Sequence, residues 1–311
     1  MTVVTLTANP SVDRTCEIDA LRRGAVLRPL ATRVDAGGKG VNVARALHAA
    51  GVPNVAVLPV GGHEGAQLVD LLAAAGLRTR TVPIAGAIRA NVTIAEPDGT
   101  TTKLNEPGPV LDADEVAALQ AALLDEARTA SWVVLSGSLP PGCPVDLYAR
   151  LTVALHAAGV RVALDCDGEV LQAALPAGPD LVKPNRTELA QATGLEVHSA
   201  PDAVRAAHAL RELGARAVLA SLGSRGAVLL DDSGEHHAHA AVDAPRSTVG
   251  AGDAALAGFL AAGAHGPDAL DAAVAYGAAA VALPGSRMPT PADLRPDAVR
   301  RLPVRSQEAL S

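Results

Sequence analysis

Short apolar runs punctuate the chain, and most are followed by longer stretches in which apolar residues return at helical spacing. Val3 to Leu6, Val55 to Val60, Trp132 to Leu135, Val160 to Leu164, Leu181 to Val182 and Ala217 to Ala220 are nearly unbroken runs. Strands that alternate apolar and polar residues expose one face, whereas unbroken runs predict strands buried on both. Between them lie Ala/Leu-rich helical stretches at Val41 to Ala50, Ala66 to Ala75, Asp114 to Arg128, Val145 to Ala158 and Asp202 to Leu213. Gly51, Gly76, Gly159 and Gly214 follow these stretches closely, as glycines that end helices do. The alternation predicts an α/β fold, a mostly parallel sheet covered by helices.

Two segments break the rhythm. Arg14 to Leu30, and Ala87 to Leu104 with its Pro97-Asp98-Gly99 turn, alternate like hairpin strands and predict a small β-sheet beside the main layer. The C-terminal third returns to helices at Ala251 to Ala262 and Ala269 to Leu283, with a last short helix expected around Pro291 to Arg300. No fixed-period repeat interrupts this order. The expectation is a single domain over 1–311, with the small sheet drawn from about 12–35 and 87–104 as a lid or dimer surface.

Composition narrows the function. With 311 residues, 49% hydrophobic and 19% charged, the chain has ample material for a core and is unlike a disordered one. The aromatic share is only 1%, so the layers must pack through Ala, Leu and Val. A net charge of −7 argues against general nucleic-acid binding, which needs a basic face. The longest apolar stretch, Ala272 to Leu283, has 12 residues, short of the ~20 that span a bilayer, so no membrane partner is expected. Met1 to Thr7 lacks the basic and apolar regions of a signal peptide and reads as a strand, giving a cytoplasmic expectation. Cys16, Cys143 and Cys166 are odd in number and form no CxxC pair, which suggests neither a disulfide framework nor a zinc site.

Four segments carry candidate chemistry. In Ser247-Thr248-Val249-Gly250-Ala251-Gly252-Asp253, two glycines let backbone N–H groups converge at a helix start, where aligned dipoles favour an anion such as a phosphoryl group. Asp253 is then placed to accept a proton from an attacking hydroxyl, or simply to complement the helix dipole. Gly37-Gly38-Lys39-Gly40-Val41-Asn42 also enters a helix, but no Ser or Thr follows Lys39, so the segment is not a Walker A loop. Its glycines allow close approach, Lys39 supplies charge, and the Asn42 amide can bond hydroxyls in either direction; a plain turn with a solvated lysine is the bland alternative. Lys183-Pro184-Asn185-Arg186-Thr187-Glu188 turns from a strand into a helix, where Asn185 fits an N-cap and Glu188 its capping-box partner. Ser221-Leu222-Gly223-Ser224-Arg225-Gly226 reads as a Gly-rich turn between strands.

Together with Thr7-Ala8-Asn9-Pro10-Ser11-Val12-Asp13, Arg89-Ala90-Asn91 and Ser136-Gly137-Ser138-Leu139-Pro140-Pro141-Gly142, these segments resemble, in order, the phosphofructokinase B branch of the ribokinase-like carbohydrate kinases. The resemblance covers nearly the whole chain. It implies a three-layer αβα sandwich with a β-sheet lid, frequently a homodimer formed lid to lid, and ATP with Mg2+ as phosphoryl donor. By the same resemblance Asp253 is the general base, and the Gly250, Ala251 and Gly252 amides form an anion hole. Asn185 and Glu188 match a motif for magnesium and phosphate placement, with Glu188 acting on the metal through water or phosphate. Lys183, Ser221, Gly223, Ser224 and Gly226 fall at nucleotide positions, whereas Asp13, Gly38, Lys39, Asn42, Arg89 and Asn91 fall at sugar-phosphate positions.

The chemistry fits that allocation. Asp13 can hold sugar hydroxyls and Arg89 can grip a phosphate with a planar fork of donors, with Lys39 and Lys103 as second charges. The activity implied is ATP-dependent phosphorylation of the C6 hydroxyl of fructose 1-phosphate, giving fructose 1,6-bisphosphate. Tagatose-6-phosphate or fructose-6-phosphate kinase activity is the alternative on the same scaffold, and a non-catalytic sugar-phosphate or nucleotide sensor the alternative from another class. A dinucleotide-dependent dehydrogenase is disfavoured, because no G-x-G-x-x-G follows the first strand. Three further features have local readings. His236, His237 and His239 follow an Asp231-Asp232-Ser233-Gly234 turn and read as an exposed hairpin strand, Trp132 reads as core, and Asp165 or Asp167 ends a strand where a sugar site could lie.

Overall fold

The buried runs become parallel strands because helices cover both faces of such a strand, so neither face need carry polar residues. A computed structural model describes residues 1–304; the final residues of the expected 1–311 unit, 305–311, lie outside the described ones. In chain order the strands are β1 (Val3–Thr7), β2 (Ser11–Glu17), β3 (Ala31–Gly37), β4 (Asn54–Val60), β5 (Thr79–Pro83), β6 (Arg89–Ala95), β7 (Thr101–Leu104), β8 (Trp132–Ser136), β9 (Arg161–Asp165), β10 (Leu181–Val182), β11 (Val218–Ser221), β12 (Ala227–Asp231), β13 (Gly234–Ala240) and β14 (Val299–Leu302). The helices are α1 (Lys39–Ala49), α2 (Gly62–Ala74), α3 (Ala113–Ala127), α4 (Leu147–Ala157), α5 (Gly168–Ala174), α6 (Arg186–Thr193), α7 (Ala200–Glu212), α8 (Ala251–Ala261) and α9 (Gly266–Ala282).

A ten-stranded sheet runs in the order β14-β13-β12-β11-β10-β9-β8-β1-β4-β5. From β11 to β5 neighbouring strands are parallel, and the three strands at the other end pair antiparallel. Against one face pack α3 to α7, through residues such as Leu119, Leu123, Leu151, Leu171, Leu189 and Leu210. The other face is covered by α1, α8 and α9 around Leu47, Leu256 and Phe259, and by α2 around Leu68 and Leu72. This is the expected three-layer α/β sandwich. Trp132 is core at 2% exposure, with the Arg161 guanidinium 4.5 Å above its ring.

A second sheet of four strands runs β3-β2-β6-β7, with β2 parallel to β6 and the two outer pairs antiparallel. Its first hairpin departs from the expected Arg14 to Leu30. The strands occupy Ser11–Glu17 and Ala31–Gly37, and the charged, Gly-containing segment between them is a loop. The strand β5 was not visible as a run, because Thr79, Arg80 and Thr81 alternate with few apolar residues at the sheet's edge.

The expected terminal helix around Pro291 to Arg300 does not form. Single 3-10 turns at Pro291–Asp293 and Pro296–Ala298 lead into β14, which pairs with β13. Pro296 has no N–H for a helical ladder, and pairing Val299–Leu302 covers an edge that would otherwise be open. The histidine strand β13 is consequently interior to the sheet, and His237 is buried with its Nε2 2.9 Å from the Arg225 carbonyl oxygen. No helix among the described residues is long and apolar enough to cross a membrane.

Tyr148 on α4 shows how the helical layer supports the strand ends. Its ring is fully buried and its hydroxyl donates to the Ser136 carbonyl at 3.0 Å, at the end of β8. Tyr148→Phe keeps the ring but strands that carbonyl, so stability should fall by about 1–3 kcal/mol. Urea denaturation of the two proteins measures the change.

Candidate active site

Strand order reverses around β1: β4 and β5 lie on one side of it, and β8 to β11 on the other. Open α/β sheets gather ligands outside the carboxyl ends of strands at such a switch point, because the loops there diverge and leave a crevice. The ends of β1, β8, β9, β10 and β11 carry Thr7, Ser136, Asp165, Val182 and Ser221, with Lys183 one residue beyond β10. Most of the candidate segments therefore converge on one rim, and the small sheet continues it through β2 and β3.

The start of α8 is built for close approach to an anion. Gly250 sits at the N-cap with a left-handed φ of 75°, and a Cβ on Gly252 would lie 3.3 Å from Lys183 Nζ. First-turn amides of a helix have no partner within it, and here the Ala251 N–H reaches only the Thr248 carbonyl at a long 3.4 Å. Asp253 follows at 8% exposure, and its Oδ2 accepts from Asn42 Nδ2 at 2.8 Å. Arg45 Nη1, 3.4 Å from Asn42 Oδ1, orients that amide so that its NH2 faces the carboxylate. Burial, with the negative charge of Asp165 second, pushes the Asp253 carboxyl up to about 6 despite opposition from Lys183, Asn42 and Lys39.

Asp165 is the charge around which the neighbouring groups collect. It is completely buried; Lys39 Nζ donates to its Oδ1 at 2.9 Å, and Lys183 Nζ stands 3.1 Å from its Oδ2. Burial alone would raise this carboxyl, but the two ammonium groups outweigh it and hold Asp165 below the ordinary carboxylate range. Lys39 also contacts Glu188 Oε1 at 3.4 Å. Burial works against the Lys39 charge, and Asp165 and Glu188 overcome it, so its ammonium is held above the usual lysine range.

The Asn185 and Glu188 pair forms the capping box of α6. Asn185 Oδ1 accepts the Thr187 and Glu188 N–H groups, each at 2.9 Å, and Glu188 Oε2 accepts the Asn185 N–H at 2.8 Å. Asn185 also bridges to Ser221 at the end of β11, which brings two of the expected nucleotide segments side by side. Gly223, Ser224 and Arg225 form a 3-10 turn, and Gly226, with φ 83°, packs where a Cβ would collide with the Ala238 carbonyl.

On the small sheet, Asp13, Asn91 and Ser11 form one network. Asn91 Nδ2 donates to Asp13 Oδ1 at 2.9 Å and to Ser11 Oγ at 3.1 Å, while Ser11 Oγ donates to the same Asp13 oxygen at 2.7 Å. Gly37 lies against it so closely that a Cβ would stand 2.4 Å from Asp13 Cγ. Arg89 donates to the Glu106 and Asn9 carbonyls at 3.1 and 3.0 Å, forms no ion pair among the described residues, and leaves its buried Nε without a partner. Burial lowers its affinity for the proton, with Asp13 and Glu106 opposing.

The arrangement adds to the sequence expectations in three places. Lys39 and Asn42, expected on the acceptor side, reach Asp165, Glu188 and Asp253. Asp165, weighed only as a sugar-lining residue, is the buried partner of two lysines, a role visible in sequence only as a carboxylate ending a parallel strand. Lys103 stands exposed on the edge strand β7 opposite Thr93. No group of three or more His, Cys, Asp or Glu side chains among the described residues is arranged to hold a metal. Asp165 and Glu188 nevertheless converge on one cation, and a pair of hard oxygen donors suits a magnesium ion that keeps water and phosphate as its other ligands.

Residues 6–293 match the family described as pfkB family carbohydrate kinase. The chain is 40% identical over 292 residues to the 1-phosphofructokinase of Haloferax volcanii, covering 92% of this chain and 93% of that protein. It is 34% identical to the ATP-dependent 6-phosphofructokinase isozyme 2 of Escherichia coli, covering 92% and 94% of the two chains. The crystal structure of phosphofructokinase-2 from Escherichia coli in complex with substrates and products superposes with a TM-score of 0.88 at 33% identity, over 94% of this chain and 97% of that one.

The raised Asp253 carboxyl makes a stability prediction with a definite sign. A folded-state value of about 6 against an ordinary 3.8 means the native chain binds this proton more tightly than the unfolded chain. Asp253 therefore subtracts stability as pH rises from about 4 to about 6 and stays ionised at a cost above that range. Asp253→Asn should exceed the parent by about 1–3 kcal/mol at about pH 8 and lose this advantage near pH 4. Denaturation midpoints at the two pH values provide the check.

Proposed function

The chain belongs to the pfkB family of carbohydrate kinases, and on that premise we propose that it phosphorylates the C6 hydroxyl of fructose 1-phosphate, giving fructose 1,6-bisphosphate. The coarser activity, ATP-dependent phosphorylation of a sugar phosphate, follows from the family and its relatives. One constellation supports a phosphorylated sugar as acceptor. A buried carboxylate, Asp253, lies at the amide-lined start of α8, while the small sheet holds a half-buried guanidinium, Arg89, without a carboxylate partner. A site that deprotonates one end of a sugar and binds phosphate at the other needs a base and a cation on different elements, as Asp253 on α8 and Arg89 on β6 are. The identity with a protein named 1-phosphofructokinase favours a phosphate on C1. A relative named 6-phosphofructokinase keeps fructose 6-phosphate as the second reading, with tagatose 6-phosphate beside it.

In this mechanism Asp253 takes the proton of the attacking hydroxyl, and Asn42 fixes the carboxylate that receives it. The Gly250, Ala251 and Gly252 amides, together with the helix dipole, face the charge that develops on the transferring phosphoryl group. Lys183, next to Gly252, adds a fixed positive charge. Asn185, Ser221, Gly223, Ser224 and Gly226 border the nucleotide, and Asp165 and Glu188 would hold a magnesium ion whose charge offsets that of the ATP phosphates. On the acceptor side, Gly38 allows close approach. Asn91 and Ser11 satisfy one Asp13 oxygen and leave the other to accept from sugar hydroxyls. Lys103 is a more distant charge for the acceptor phosphate.

The small sheet would also serve as the face of a homodimer. Leu21, Val26, Leu30 and Leu104 are exposed on it or on its connecting loop, and burying such residues favours association.

Coupled ADP-release assays with Mg-ATP on fructose 1-phosphate, fructose 6-phosphate and tagatose 6-phosphate test the reading. Fructose 1-phosphate should give the highest kcat/KM, and Asp253→Asn should reduce turnover by about 10²–10⁴-fold. Preference for a 6-phosphate would move the assignment to the second reading, and inactivity on all three would favour a sugar-phosphate sensor.

Arg89→Ala separates acceptor recognition from phosphoryl transfer. Loss of charge-assisted hydrogen bonds worth about 1.5–3 kcal/mol each should raise acceptor KM by about tenfold to 150-fold and leave ATP affinity nearly unchanged. Arg89→Lys should recover only part of the loss, since an ammonium keeps the charge without the planar fork. Weakened ATP binding with unchanged acceptor KM would place Arg89 on the donor side.

A further inference from the structure

The Lys39 ammonium stands between carboxylates from two elements, 2.9 Å from Asp165 Oδ1 on β9 and 3.4 Å from Glu188 Oε1 on α6. Neither contact is needed to close local structure, because the second Glu188 oxygen already completes the cap of α6. Asp165 is wholly buried whereas the Lys39 side chain keeps 34% of its surface, so the ammonium covers the solvent side of the carboxylate pair. The remaining Asp165 oxygen faces Lys183 outside hydrogen-bond geometry and has no hydrogen-bond partner. The same two carboxylates are the hard oxygen donors that suit a divalent cation. Two ammonium groups and a divalent cation cannot all sit against them, because like charges at this separation repel strongly away from bulk water, and Lys39 is the ammonium that touches both carboxylates.

We propose that Lys39 is a tethered counter-ion: it holds the divalent-cation seat before the nucleotide arrives and is displaced from Asp165 and Glu188 when the metal enters. Without it, the two carboxylates would be left with Lys183 as their one neighbouring ammonium, and Glu188 would face the seat with no cation. Displacement frees a positive charge at the start of α1, beside the phosphates that accompany the metal. Lys39 thus links occupation of the metal seat to delivery of a charge at the pocket floor. The proposal rests on the kinase reading for the metal's place beside the nucleotide, but the test requires neither nucleotide nor sugar. Its failure is therefore distinct from that of the acceptor assignment.

The probe is Mn2+, titrated into the nucleotide-free full-length protein and followed by the electron paramagnetic resonance signal of the free ion. Lys39→Met should bind Mn2+ about tenfold or more tightly than the parent, since a competing cation is gone, and adding Glu188→Gln should abolish that gain. A second measurement uses the unsubstituted protein. Labelling with an amine-reactive reagent, read by peptide mass spectrometry, should increase several-fold at Lys39 on adding Mn2+, with exposed Lys103 as internal reference. Equal Mn2+ affinity in the parent and Lys39→Met, or Lys39 labelling that Mn2+ does not change, would overturn the proposal.

Discussion

A wholly buried carboxylate at the end of β9 fixes the arrangement of the pocket floor. Removing an ionised Asp165 from water costs several kcal/mol unless cations accompany it, and Lys39 and Lys183 are the cations. One arrives from the start of α1 and the other from the strand end beyond β10. Their shared partner therefore brings three chain segments to one point. Lys183 consequently lies under Gly252, where a side chain on the glycine would crowd its ammonium. The Asp165 charge also reaches Asp253, adding to the burial that keeps that carboxyl protonated to a higher pH than usual.

The loop after β1 connects this floor to the small sheet. Asn9 donates to the Pro107 carbonyl at 2.9 Å, and its own carbonyl receives Arg89 from β6. Two residues later β2 begins, and β3 returns to place Gly37 against Asp13 before the chain enters α1. Asp13, Lys39 and Asn42 are thus held in register by continuous backbone, β3 running almost directly into α1. A larger residue at Gly37 would push Asp13 away from Asn91 and Ser11, because its Cβ would overlap the carboxylate.

The parts of this structure that announced themselves in sequence were those with local causes. Val3 to Leu6 and Trp132 to Leu135 read as buried strands because a parallel strand has two apolar faces, and Asn185 with Glu188 read as a cap because the spacing alone defines it. The ordered motifs placed Gly250 to Asp253 at a helix start, where α8 begins. What stayed hidden depended on partners distant in sequence. Asp165 and Lys39 are 126 residues apart, and Asn42 and Asp253 are 211 apart, so neither contact leaves a local pattern. Residues 299–302 offered the same difficulty: Val299 to Leu302 become a strand because β13 has an edge to pair, which two adjacent arginines between Pro296 and Pro303 do not reveal.

The two sides of the pocket differ in how their charge is satisfied, and the difference bears on the order of events. On the β9 and α6 side, carboxylates and ammonium groups already neutralise one another. On the small sheet, Arg89 has only neutral carbonyls as hydrogen-bond partners, and its Nε has none. An anion reaching Arg89 gains charge-assisted hydrogen bonds without breaking an ion pair. A cation reaching Asp165 and Glu188 must first displace one. Under the proposed allocation of the pocket, acceptor binding is the simpler electrostatic event, and the donor side is where rearrangement is required. That asymmetry follows from placing the Arg89 guanidinium on a sheet outside the main layer while Asp165, Glu188, Lys39 and Lys183 compensate one another at the main sheet's strand ends.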